Sequence, residues 1–487
     1  MPTVLVRADA SVQIGTGHIM RTLTLSNELK KNSFEVIFLT KKLEGNLDEV
    51  IVKNGFEVIN VDSFCESDEV LEIIKRKNAS LIIFDNYGID YEYEKKIKQN
   101  SDIKIFSFDD TGEKHFCDIL LNQNIYAKKE DYKGLVPQNC YVLAGAQYAL
   151  LRDEFKNIKI KEKIEIDRKK INILVTLGGS DERNVGENVM QVIEKIDDLN
   201  LFTTVIAGKS NPHFLKLENF AKNSKKDFLV LKSSENMAQL MNDSDIAITA
   251  GGSTVLEVLF LLLPSITIEL ASNQHKIVQE LKKRELSIAV DECVQIESAI
   301  KKLCDLQTRK HLIENMRAFF KDNLQDEIVK AIKKKIYEDF KVVSASFDDC
   351  ENLFLLANDE EVRKNSFSQN KIELNEHKAW LKKALEDKTR ALFVLKLKDV
   401  FLGQIRFDKI EKTDDYLISF SIAKEIRGLS LSSLIIKKSI EKFSKNHKTN
   451  KIIAHIKKEN TASLKAFEKA GFKTAAQNEF ITMECEI

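Results

Sequence analysis

Residues 4–25 read VLVRADASVQIGTGHIMRTLTL, and this stretch decides the fold of the first part of the chain. Its apolar start predicts a buried strand, which is followed by a glycine-containing turn and an amphipathic helical pattern. Gly15 and Gly17 allow the backbone to approach a ligand closely, and the N-terminus of the following helix favours an anion. The stretch therefore predicts a strand–turn–helix unit that binds a ligand at its turn.

The same alternation of apolar and amphipathic segments continues along the chain, and it is typical of βαβ units on parallel sheets. We predict two doubly wound α/β domains, residues 1–155 and 165–340, with the charged stretch 156–170 as a linker or an exposed extension. Ligands in such folds bind outside the carboxyl ends of the strands. The predicted strands are residues 4–7, 35–39, 81–84, 103–108, 119–122, 141–144, 171–177, 201–207, 228–231, 246–249 and 265–269.

The pattern changes in the last third of the chain. Only three of the 17 glycines and none of the four prolines follow Pro264. Residues 305–340 are helical and highly charged. A strand near residue 342, a helical section to residue 384 and later strands at 391–396, 402–407, 416–422 and 451–456 predict a separate α+β domain over residues 342–487.

Composition excludes several classes of protein. The 75 basic and 75 acidic side chains give a formal net charge of zero, which argues against a general nucleic-acid binder. No window approaches the roughly 18 consecutive apolar residues of a membrane span, and the N-terminus lacks the basic segment of a signal peptide. The seven scattered cysteines, Cys65 among them, include no CxxC pair, so we expect reduced thiols in the cytoplasm and no metal site. The oligomeric state stays open.

His18 stands at the predicted start of the first helix. A neutral imidazole there can serve as a general base, since the reference pKa of a histidine side chain lies near working pH. The alternative is a histidine that only caps or packs at a turn, but its place between two glycines and a helix favours the catalytic interpretation. A dinucleotide site is not favoured, because Met20 replaces the third glycine of the fingerprint and the next strand ends in Thr40 rather than an acid.

The stretch ITAGGSTVLEVL, residues 248–259, repeats the strand–turn–helix pattern. Gly251 and Gly252 would let the following amides face a pyrophosphate, supported by the helix dipole. Glu257 could accept hydrogen bonds from ribose hydroxyls, and the alternative is a capping box formed by Thr254 and Glu257. Two further loops follow predicted strands and are candidates for ligand binding. The first contains Gly178, Gly179 and Ser180, and the alternative for it is a purely structural turn. The second is the segment SNQHK at 272–276, and the alternative for it is a polar loop.

Several motifs of the first 340 residues occur in a characteristic combination: GTGHIMR at 15–21, FDNYG at 84–88, FDD at 108–110, DILLNQN at 118–124, YALLRDEF at 148–155 and GGSTVLE at 251–257. Together they resemble the UDP-2,4-diacetamido-2,4,6-trideoxy-β-L-altropyranose hydrolases of pseudaminic acid biosynthesis. That family is similar to MurG-like glycosyltransferases of the GT-B type, which agrees with two Rossmann-like domains.

The resemblance implies hydrolysis of a nucleotide sugar to UDP and a free sugar, with inversion at the anomeric carbon. His18 would activate water, with no metal ion expected. Asp9, Asp85 and Asp110 follow predicted strands; Asp9 or Asp110 would bind polar groups of the sugar, and helix capping is the alternative for each. The residues that the resemblance assigns to substrate binding are Asp9, Gly15, Gly17, Arg21, Tyr87, Asp110, Gly178, Gly251, Gly252, Ser253, Thr254, Glu257, Asn273 and Gln274.

The stretch FSIAKEIRGLSLSSLIIKKSIEKF, residues 420–443, resembles the acetyl-CoA motif of GNAT acetyltransferases, in which backbone amides at a helix start hold the pyrophosphate. Ser430 and Ser432 stand where that motif usually has glycine or another small residue, and an ordinary serine-capped helix is the alternative. Residues 459–472, ENTASLKAFEKAGF, resemble the closing segment of the same family. The resemblance assigns acetyl-CoA binding to Ile422, Arg427, Gly428, Ser430, Ser432, Asn460, Ser463 and Phe467.

The segment that precedes this motif resembles the substrate-side helices of pseudaminic acid pathway N-acetyltransferases, through Arg363, Asn365, His377 and Trp380. Phe467 replaces a tyrosine that in many GNAT enzymes protonates the departing thiolate, so another group or water must do so here. His377 is a candidate base for the amine, and a position on a helix surface is the alternative.

The two resemblances predict a bifunctional enzyme acting on UDP-amino sugars. The C-terminal domain would acetylate the 4-amino group of a UDP-4-amino-4,6-dideoxy sugar from acetyl-CoA, and the N-terminal half would hydrolyse the product; the fusion would raise its local concentration. Three alternatives stay open: a glycosyltransferase that uses a sugar or lipid acceptor, an acetyltransferase for a protein or an unrelated amine, and a non-catalytic C-terminal binding module.

Overall fold

The computed structural model describes residues 2–62, 66–167, 169–179, 181–208, 211–234 and 236–487, so Cys65 and Ser180 lie outside the described residues. The chain forms two compact units, the first ending at Val329 and the second beginning at Lys330. Across the described ranges, none of the helices combines the length and apolar character that crossing a bilayer requires.

The first sheet contains the strands β1 (Thr3–Ala8), β2 (Glu35–Thr40), β3 (Glu57–Asn60), β4 (Leu81–Asp85), β5 (Lys104–Phe108), β6 (Ile119–Asn122) and β7 (Tyr141–Ala144). Its helices are α1 (Gly17–Lys31), α2 (Asp48–Lys53), α3 (Glu66–Arg76), α4 (Tyr91–Gln99) and α5 (Asp153–Lys156). All strand pairs are parallel, in the order β3-β2-β1-β4-β5-β6-β7. The strands β1, β4 and β6 are buried along their whole length, and most of their residues are apolar, which is typical of strands covered on both faces.

The second sheet contains β8 (Ile171–Thr176), β9 (Leu201–Ile206), β10 (Asp227–Leu231), β11 (Ile246–Ala250), β12 (Ser265–Ile268) and β13 (Ile288–Val290). Its strands are also parallel, in the order β10-β9-β8-β11-β12-β13. The accompanying helices are α6 (Val185–Glu194), α7 (Phe214–Asn223), α8 (Met237–Asp243), α9 (Thr254–Phe260), α10 (His275–Lys283), α11 (Ile296–Leu303), α12 (Leu306–Phe319) and α13 (Gln325–Tyr337).

Both sheets reverse their strand order beside their first strand, between β1 and β4 and between β8 and β11. The connections that leave the carboxyl ends of these paired strands run in opposite directions and open a crevice there. The loops after β1, β4, β8 and β11 therefore hold the positions at which a doubly wound fold binds its ligands. The sequence analysis places its candidate residues on these same loops.

Residues 156–170 are not an exposed extension, which corrects the sequence expectation. Ile158 and Ile160 alternate with charged residues and pack against the core of the second sheet. Lys163 is buried, and its ammonium donates to two carbonyl oxygens at the C-terminus of α8, each at 2.8 Å. Burial lowers the pKa of Lys163 to about 8. Isoleucines at every second position thus give this segment an apolar face. The charged residues between them make that face hard to recognise in the sequence.

The second unit contains a mixed sheet in the order β14-β15-β16-β17-β18-β20-β19. The strands are β14 (Lys341–Ser344), β15 (Arg390–Leu397), β16 (Val400–Lys409), β17 (Tyr416–Ile422), β18 (Lys451–Ile456), β19 (Lys473–Gln477) and β20 (Ile481–Glu486). Its helices are α14 (Cys350–Ala357), α15 (Glu360–Asn365), α16 (Leu374–Glu386), α17 (Ser432–Ser444) and α18 (Thr461–Ala470). The predicted α/β architecture, two Rossmann-like sheets followed by an α+β domain, is confirmed.

The strands β17 and β18 form the parallel pair of this mixed sheet, and they separate soon after they meet. Tyr416 pairs with Ile452 and Leu417 with Ile453, after which the pairing ends. The strands then diverge, and residues 418–422 of β17 with His455 and Ile456 of β18 line a cavity of about 780 Å³. An opening between parallel strands exposes backbone groups that a bound ligand can pair with.

Candidate functional site

His18 lies at the switch point of the first sheet, in the first turn of α1. Asp85 ends the adjacent strand β4, and its Oδ1 is 2.6 Å from Nδ1 of His18. Both residues are buried, with exposed fractions of 8% and 1%. The carboxylate accepts the Nδ1 proton of the neutral ring, which leaves the Nε2 lone pair as a proton acceptor.

Arg21, one turn further along α1, joins Asp85 to Asp110. Its Nε and Nη2 donate to the two oxygens of Asp85, each at 2.6 Å, and its Nη1 and Nη2 reach Asp110 at 3.0 and 2.8 Å. Burial acts to raise the pKa of Asp85, but the charge and hydrogen bonds of Arg21, with the bond from His18, hold it below its usual value. Asp85 therefore remains an anion that can stabilise an imidazolium at His18.

Tyr87 lies beside the His18 ring and is 65% exposed. The two rings meet edge to face with centroids 4.8 Å apart, and the Tyr87 hydroxyl donates to Oδ2 of Asp110 at 3.2 Å. Burial of the hydroxyl and the negative charge of Asp110 raise the pKa of Tyr87, so the phenol stays a donor. Tyr87 and Asp110 are thus available to the polar groups of a ligand bound near His18.

The glycine turn between β1 and α1 is open on its outer side. Gly15 has φ of +82°, and no described neighbouring atom lies within 4 Å of where a Cβ would stand on Gly15 or Gly17. A Cβ on Gly179, in the loop after β8, would lie 4.0 Å from Oγ1 of Thr16. The turns after β1 and β8 therefore face each other across the crevice.

Glycines in the loops after β8 and β9 are required for two different reasons. Gly178 has φ of +100° and open space around its α-carbon, as close approach of a ligand requires. Gly208 follows β9, and a Cβ there would lie only 2.3 Å from the carbonyl oxygen of Gly179. Sequence reasoning missed Gly208, because its contact with this loop depends on the strand order.

The two glycines after β11 also differ in role. A Cβ on Gly251 would lie 2.7 Å from Cγ2 of Val278, so Gly251 serves the close packing of α10 rather than an open approach. No described neighbouring atom lies within 4 Å of the Cβ position on Gly252. The turn that leads into α9 lies at the crevice. It contains Gly252 and the exposed Ser253, and α9 begins at the half-buried Thr254.

Glu257 on α9 is held by Arg152, whose Nη2 donates to Oε1 at 3.0 Å. The capping-box alternative is wrong, because α9 begins with Ser253 as its N-cap and has no capping hydrogen bond from a side chain. Burial raises the pKa of Glu257 and Arg152 opposes that rise. Arg152 was missed by sequence reasoning, although it stands within the motif YALLRDEF.

Three other predicted ligands are placed less favourably for substrate binding. Both carboxylate oxygens of Asp9 are engaged by the protein, with three donors from neighbouring segments each at 2.7 Å. Oε1 of Gln274 accepts from the amide of Leu270 at 2.9 Å and closes its own loop. Asn273 is exposed on the short turn Ser272–Gln274. These contacts favour positioning roles for Asp9 and Gln274.

The cavity between β17 and β18 brings together most of the predicted acetyl-CoA residues. Its lining includes Ile422, Arg427, Gly428, Ser432, Asn460, Ser463 and Phe467. Ser430 is the exception, because it is exposed and outside this lining. Its φ of +57° lies in the left-handed region that favours glycine, which explains why a glycine is usual at this position.

Two of the polar side chains at this cavity already have partners within the protein. Arg427 donates to Oδ1 of Asp359 at 2.7 Å and to Oε2 of Glu361 at 3.1 Å, so it anchors the start of α15. Oδ1 of Asn460 accepts from the amide of Ser463 at 3.1 Å and caps α18. Backbone amides, rather than the Arg427 guanidinium, are therefore the groups left to bind a phosphate near α17.

His377 is not on the surface, which corrects one of the two alternatives for it. It is 4% exposed and lines the cavity, with the Trp380 ring at a centroid distance of 5.4 Å. Its Nε2 has no hydrogen-bond partner among the described residues. Burial lowers the pKa of His377 and favours the neutral ring. Arg363, Asn365 and Trp380 line the same cavity.

Two protein families match successive parts of the chain. The family described as glycosyltransferase family 28 C-terminal domain matches residues 172–335. The family described as acetyltransferase (GNAT) domain matches residues 342–473. The fold and these matches define a sugar-nucleotide enzyme fold of the glycosyltransferase type joined to a GNAT acetyltransferase domain.

The chain is 37% identical over 281 residues to UDP-2,4-diacetamido-2,4,6-trideoxy-beta-L-altropyranose hydrolase of Campylobacter jejuni, across 58% of this chain and 96% of that protein. An uncharacterized protein of Methanocaldococcus jannaschii is 29% identical over 515 residues, across 98% of this chain and 99% of that protein. The crystal structure of MurG from Acinetobacter baumannii shares the fold with a TM-score of 0.50 at 14% identity, covering 69% of this chain and all of that one.

The chain therefore belongs to the family of the UDP-2,4-diacetamido-2,4,6-trideoxy-β-L-altropyranose hydrolase and carries a GNAT acetyltransferase domain in addition. The GT-B type predicted for the first unit is confirmed at the level of the fold.

Proposed function

We propose that the chain catalyses two consecutive steps on one UDP-amino sugar. The GNAT domain transfers acetyl from acetyl-CoA to the 4-amino group of a UDP-4-amino-4,6-dideoxy sugar. The first unit then hydrolyses UDP-2,4-diacetamido-2,4,6-trideoxy-β-L-altropyranose to UDP and 2,4-diacetamido-2,4,6-trideoxy-L-altrose, with inversion. The observation that carries the hydrolase is the His18–Asp85 pair at the switch point, facing the second glycine loop. The name of the Campylobacter relative suggests the substrate.

In the hydrolytic step, His18 is the general base. Its Nε2 takes a proton from water while the water oxygen forms a bond to the anomeric carbon. The bond from that carbon to the diphosphate oxygen breaks, and UDP leaves with the electron pair on the opposite face, which gives inversion. Asp85 stabilises the imidazolium that forms, and general-base catalysis of this kind contributes about 10²- to 10⁴-fold.

The remaining site residues hold the two ends of the substrate. Tyr87 and Asp110 bind polar groups of the sugar, since both lie beside His18. Backbone amides near Gly178 and Gly252 face the diphosphate and stabilise the charge that develops as it departs. Glu257 accepts hydrogen bonds from the ribose with the oxygen that Arg152 leaves available.

In the GNAT domain, the cavity between β17 and β18 fits a polar ligand, because it is lined by buried polar atoms without partners among the described residues. Gly428 and Ser432 would hold the diphosphate of acetyl-CoA, and Ser463 would contact its arm. Acetyl-CoA supplies the activated acetyl group. The amine enters from the side of α15 and α16, where Arg363, His377 and Trp380 line the cavity.

The test is mass spectrometry of the full chain incubated with UDP-4-amino-4,6-dideoxy-β-L-AltNAc, with and without acetyl-CoA. We expect UDP and the free diacetamido sugar only when acetyl-CoA is present. Accumulation of an acetylated UDP-sugar that is never cleaved would overturn the hydrolase assignment. No change with either this substrate or the presynthesised diacetamido UDP-sugar would overturn both assignments.

A second candidate activity for the first unit is glycosyl transfer, which the match to the glycosyltransferase family 28 domain favours. A transferase needs an acceptor hydroxyl in place of water. Release of UDP in the absence of any acceptor supports hydrolysis, and release only after a sugar or lipid acceptor is added supports transfer.

A further inference from the structure

We propose that His377 is the catalytic base of the acetyltransferase cavity and that it takes the proton released by the attacking amine. The inference rests on the proposed N-acetyltransferase activity and assigns one step of it to a residue of this chain. It places the acceptor amine at α16.

The first support is the environment of the imidazole. His377 is 96% buried, since its exposed fraction is 4%, and its Nε2 finds no partner among the described residues. Leaving a buried polar atom without a hydrogen bond costs about 1–3 kcal/mol, so an unpaired nitrogen on a side chain that lines a cavity points to a ligand group. Oε1 of Gln404, on β16, is also buried, unpartnered and in the lining of this cavity.

Nε2 of His377 and Oε1 of Gln404 can both accept hydrogen bonds, and Nε of Arg363 in the same lining is a buried donor without a partner among the described residues. Nε2 accepts when the ring carries its proton on Nδ1, and an amide oxygen accepts in every state. A primary amine or ammonium is the group that donates several hydrogen bonds from a single atom. The two acceptors at His377 and Gln404 therefore fit a nitrogen donor such as an amine.

The surroundings favour a neutral ring that can take up a proton. Burial lowers the pKa of His377 below its ordinary value of 6.5. The neighbouring α14 presents the Phe354 ring at 5.7 Å, and β15 presents buried Leu392 and Val394. Nearby Asp349 is paired with Lys396 at 2.6 Å.

The charged side chains that line the cavity carry an excess of positive charge, with two acids against four cations. The acids are Glu361 on α15 and Glu376 on α16, and Glu361 is paired with Arg427 at 3.1 Å. The cations are Arg363, Arg406, Arg427 and Lys457, and His455 is the other histidine of the lining. His455 is exposed, so it titrates in contact with solvent and must be separated from His377 by experiment.

The chemical step balances as follows for an acceptor that arrives as an ammonium. Nε2 of His377 takes one proton, and the neutral amine nitrogen forms a bond to the acetyl carbon. The carbon–sulfur bond breaks, and CoA leaves as a thiolate that takes the second proton from the nitrogen, directly or through water. Phe467 has no hydroxyl to supply that second proton. The amide keeps the third hydrogen, and His377 returns its proton to solvent.

The chain provides its own optical reporter for this site. Trp380 is the single tryptophan of the sequence and lines the cavity, and its ring is tilted against the His377 ring at a centroid distance of 5.4 Å. Binding of CoA is expected to change its fluorescence, and a protonated imidazole at that distance quenches indole emission. Ligand binding and the ionisation of His377 can therefore be followed without turnover.

The experiment compares full-length wild type with His377→Gln, with His447→Gln as the matched control. His447 is in the same unit, stacks on Phe443 and is outside the cavity lining. At saturating acceptor and acetyl-CoA, we expect kcat of wild type to fall as the pH drops through the pKa of His377. For His377→Gln, kcat should be at least about 100-fold lower than for wild type and should no longer fall at low pH. The Kd for CoA, measured by the fluorescence of Trp380, should change less than about twofold. Imidazole added to His377→Ala should restore part of the activity.

Three results would overturn the assignment. The first is a His377→Gln variant whose kcat stays within about threefold of wild type and still falls as the pH drops. The second is a fall of kcat at low pH that disappears in His455→Gln instead. The third is failure of the wild-type chain to acetylate the UDP-amino sugar or any other amine, which would overturn the proposed acetyltransferase as well. Acetylation that persists in His377→Gln overturns only the role of His377.

Discussion

At the scale of single residues, the hydrolase site depends on one buried carboxylate. Asp85 receives bonds from both His18 and Arg21, so a single side chain fixes the ring orientation and anchors the guanidinium that reaches Asp110. A histidine in the first turn of a helix has two tautomers and rotates freely unless a partner selects one. The proposed base function of His18 therefore requires Asp85.

Replacing Asp85 by asparagine should remove the contact that selects the tautomer of His18 with its proton on Nδ1. The amide can donate to Nδ1 of His18, which would place the ring proton on Nε2 and leave no acceptor for the water proton. We expect UDP release from the diacetamido UDP-sugar to fall about 10²- to 10⁴-fold, while acetyl transfer by the same chain is unchanged. The control is Asp102→Asn, an exposed carboxylate outside the site. UDP release within about tenfold of wild type would show that Asp85 does not direct the base.

The sequence predicts the members of this site better than their contacts. His18, Arg21, Tyr87 and Asp110 are identified by local motifs, and the structure gathers them at one edge of the sheet. The partnership of His18 with Asp85 joins residues 67 positions apart, and it exists because β1 and β4 are neighbours. Strand order is a property of the whole sheet, so a local pattern does not specify it.

At the scale of elements, a buried polar network fixes the loop between β5 and β6. Nδ1 of His115 is 2.8 Å from Oε1 of Glu94, and its Nε2 is 3.9 Å from Oδ1 of Asp109. The Tyr132 hydroxyl donates to Asp109 at 2.6 Å. Because Asp110 follows directly in the chain, this network positions one of the candidate sugar-binding residues.

Replacing His115 by glutamine should loosen this loop in a pH-dependent way. Burial opposes the charge, but the bonds and charges of Asp109 and Glu94 raise the pKa of His115 to about 10, against 6.5 for the free side chain. A raised pKa in the folded state contributes stability that is full below pH 6.5 and is lost as the pH rises toward 10. We expect His115→Gln to lower the protection of β5 and β6 by about 2 kcal/mol below pH 6.5 and by progressively less above it.

Hydrogen–deuterium exchange of the full chain measures this difference peptide by peptide. The control is His311→Gln, because His311 is exposed and pairs with Glu285 far from this network. A loss of protection in β5 and β6 that is the same at pH 6 and pH 9.5 would contradict the charged state of His115.

The sequence predicts the strands that are buried along their whole length, and it also predicts β10 and β14, which contain no buried residue. The expected strands at 4–7, 81–84 and 119–122 correspond to β1, β4 and β6 within one residue at each end. The edge strand β3 is missed because it is short and half exposed, and β19 is missed because all its residues are exposed. An edge or solvated strand lacks the apolar run that marks a central one.

At the scale of the whole molecule, composition and sequence motifs indicate two different activities. The fold places the candidate residues of each activity in a separate unit. The glycine turns of the first unit serve parallel sheets, and the second unit has Gly428 at φ of +77° with open space around it. The candidate residues of each activity lie within a single unit, on either side of the division after Val329. Each activity should therefore be removable without loss of the other.

A mixture of two single-site variants tests this independence in the full-length protein. His18→Gln should acetylate the UDP-4-amino sugar and accumulate the uncleaved product. Gly428→Val should fail to acetylate it, because a β-branched residue resists the left-handed backbone at that turn. Neither variant alone should form the free diacetamido sugar, whereas the mixture should form it after a lag set by the build-up of the intermediate in solution.

Time-resolved mass spectrometry of the mixture follows this lag, and a chain that carries both substitutions is the control that should stay inactive. The intermediate released by one chain reaches the other only by diffusion, so the lag should lengthen as the protein is diluted. In the wild-type chain both sites are tethered, and the lag should depend less on dilution. A mixture that forms no free sugar, although each variant retains its own activity, would mean that the intermediate does not leave the chain that makes it.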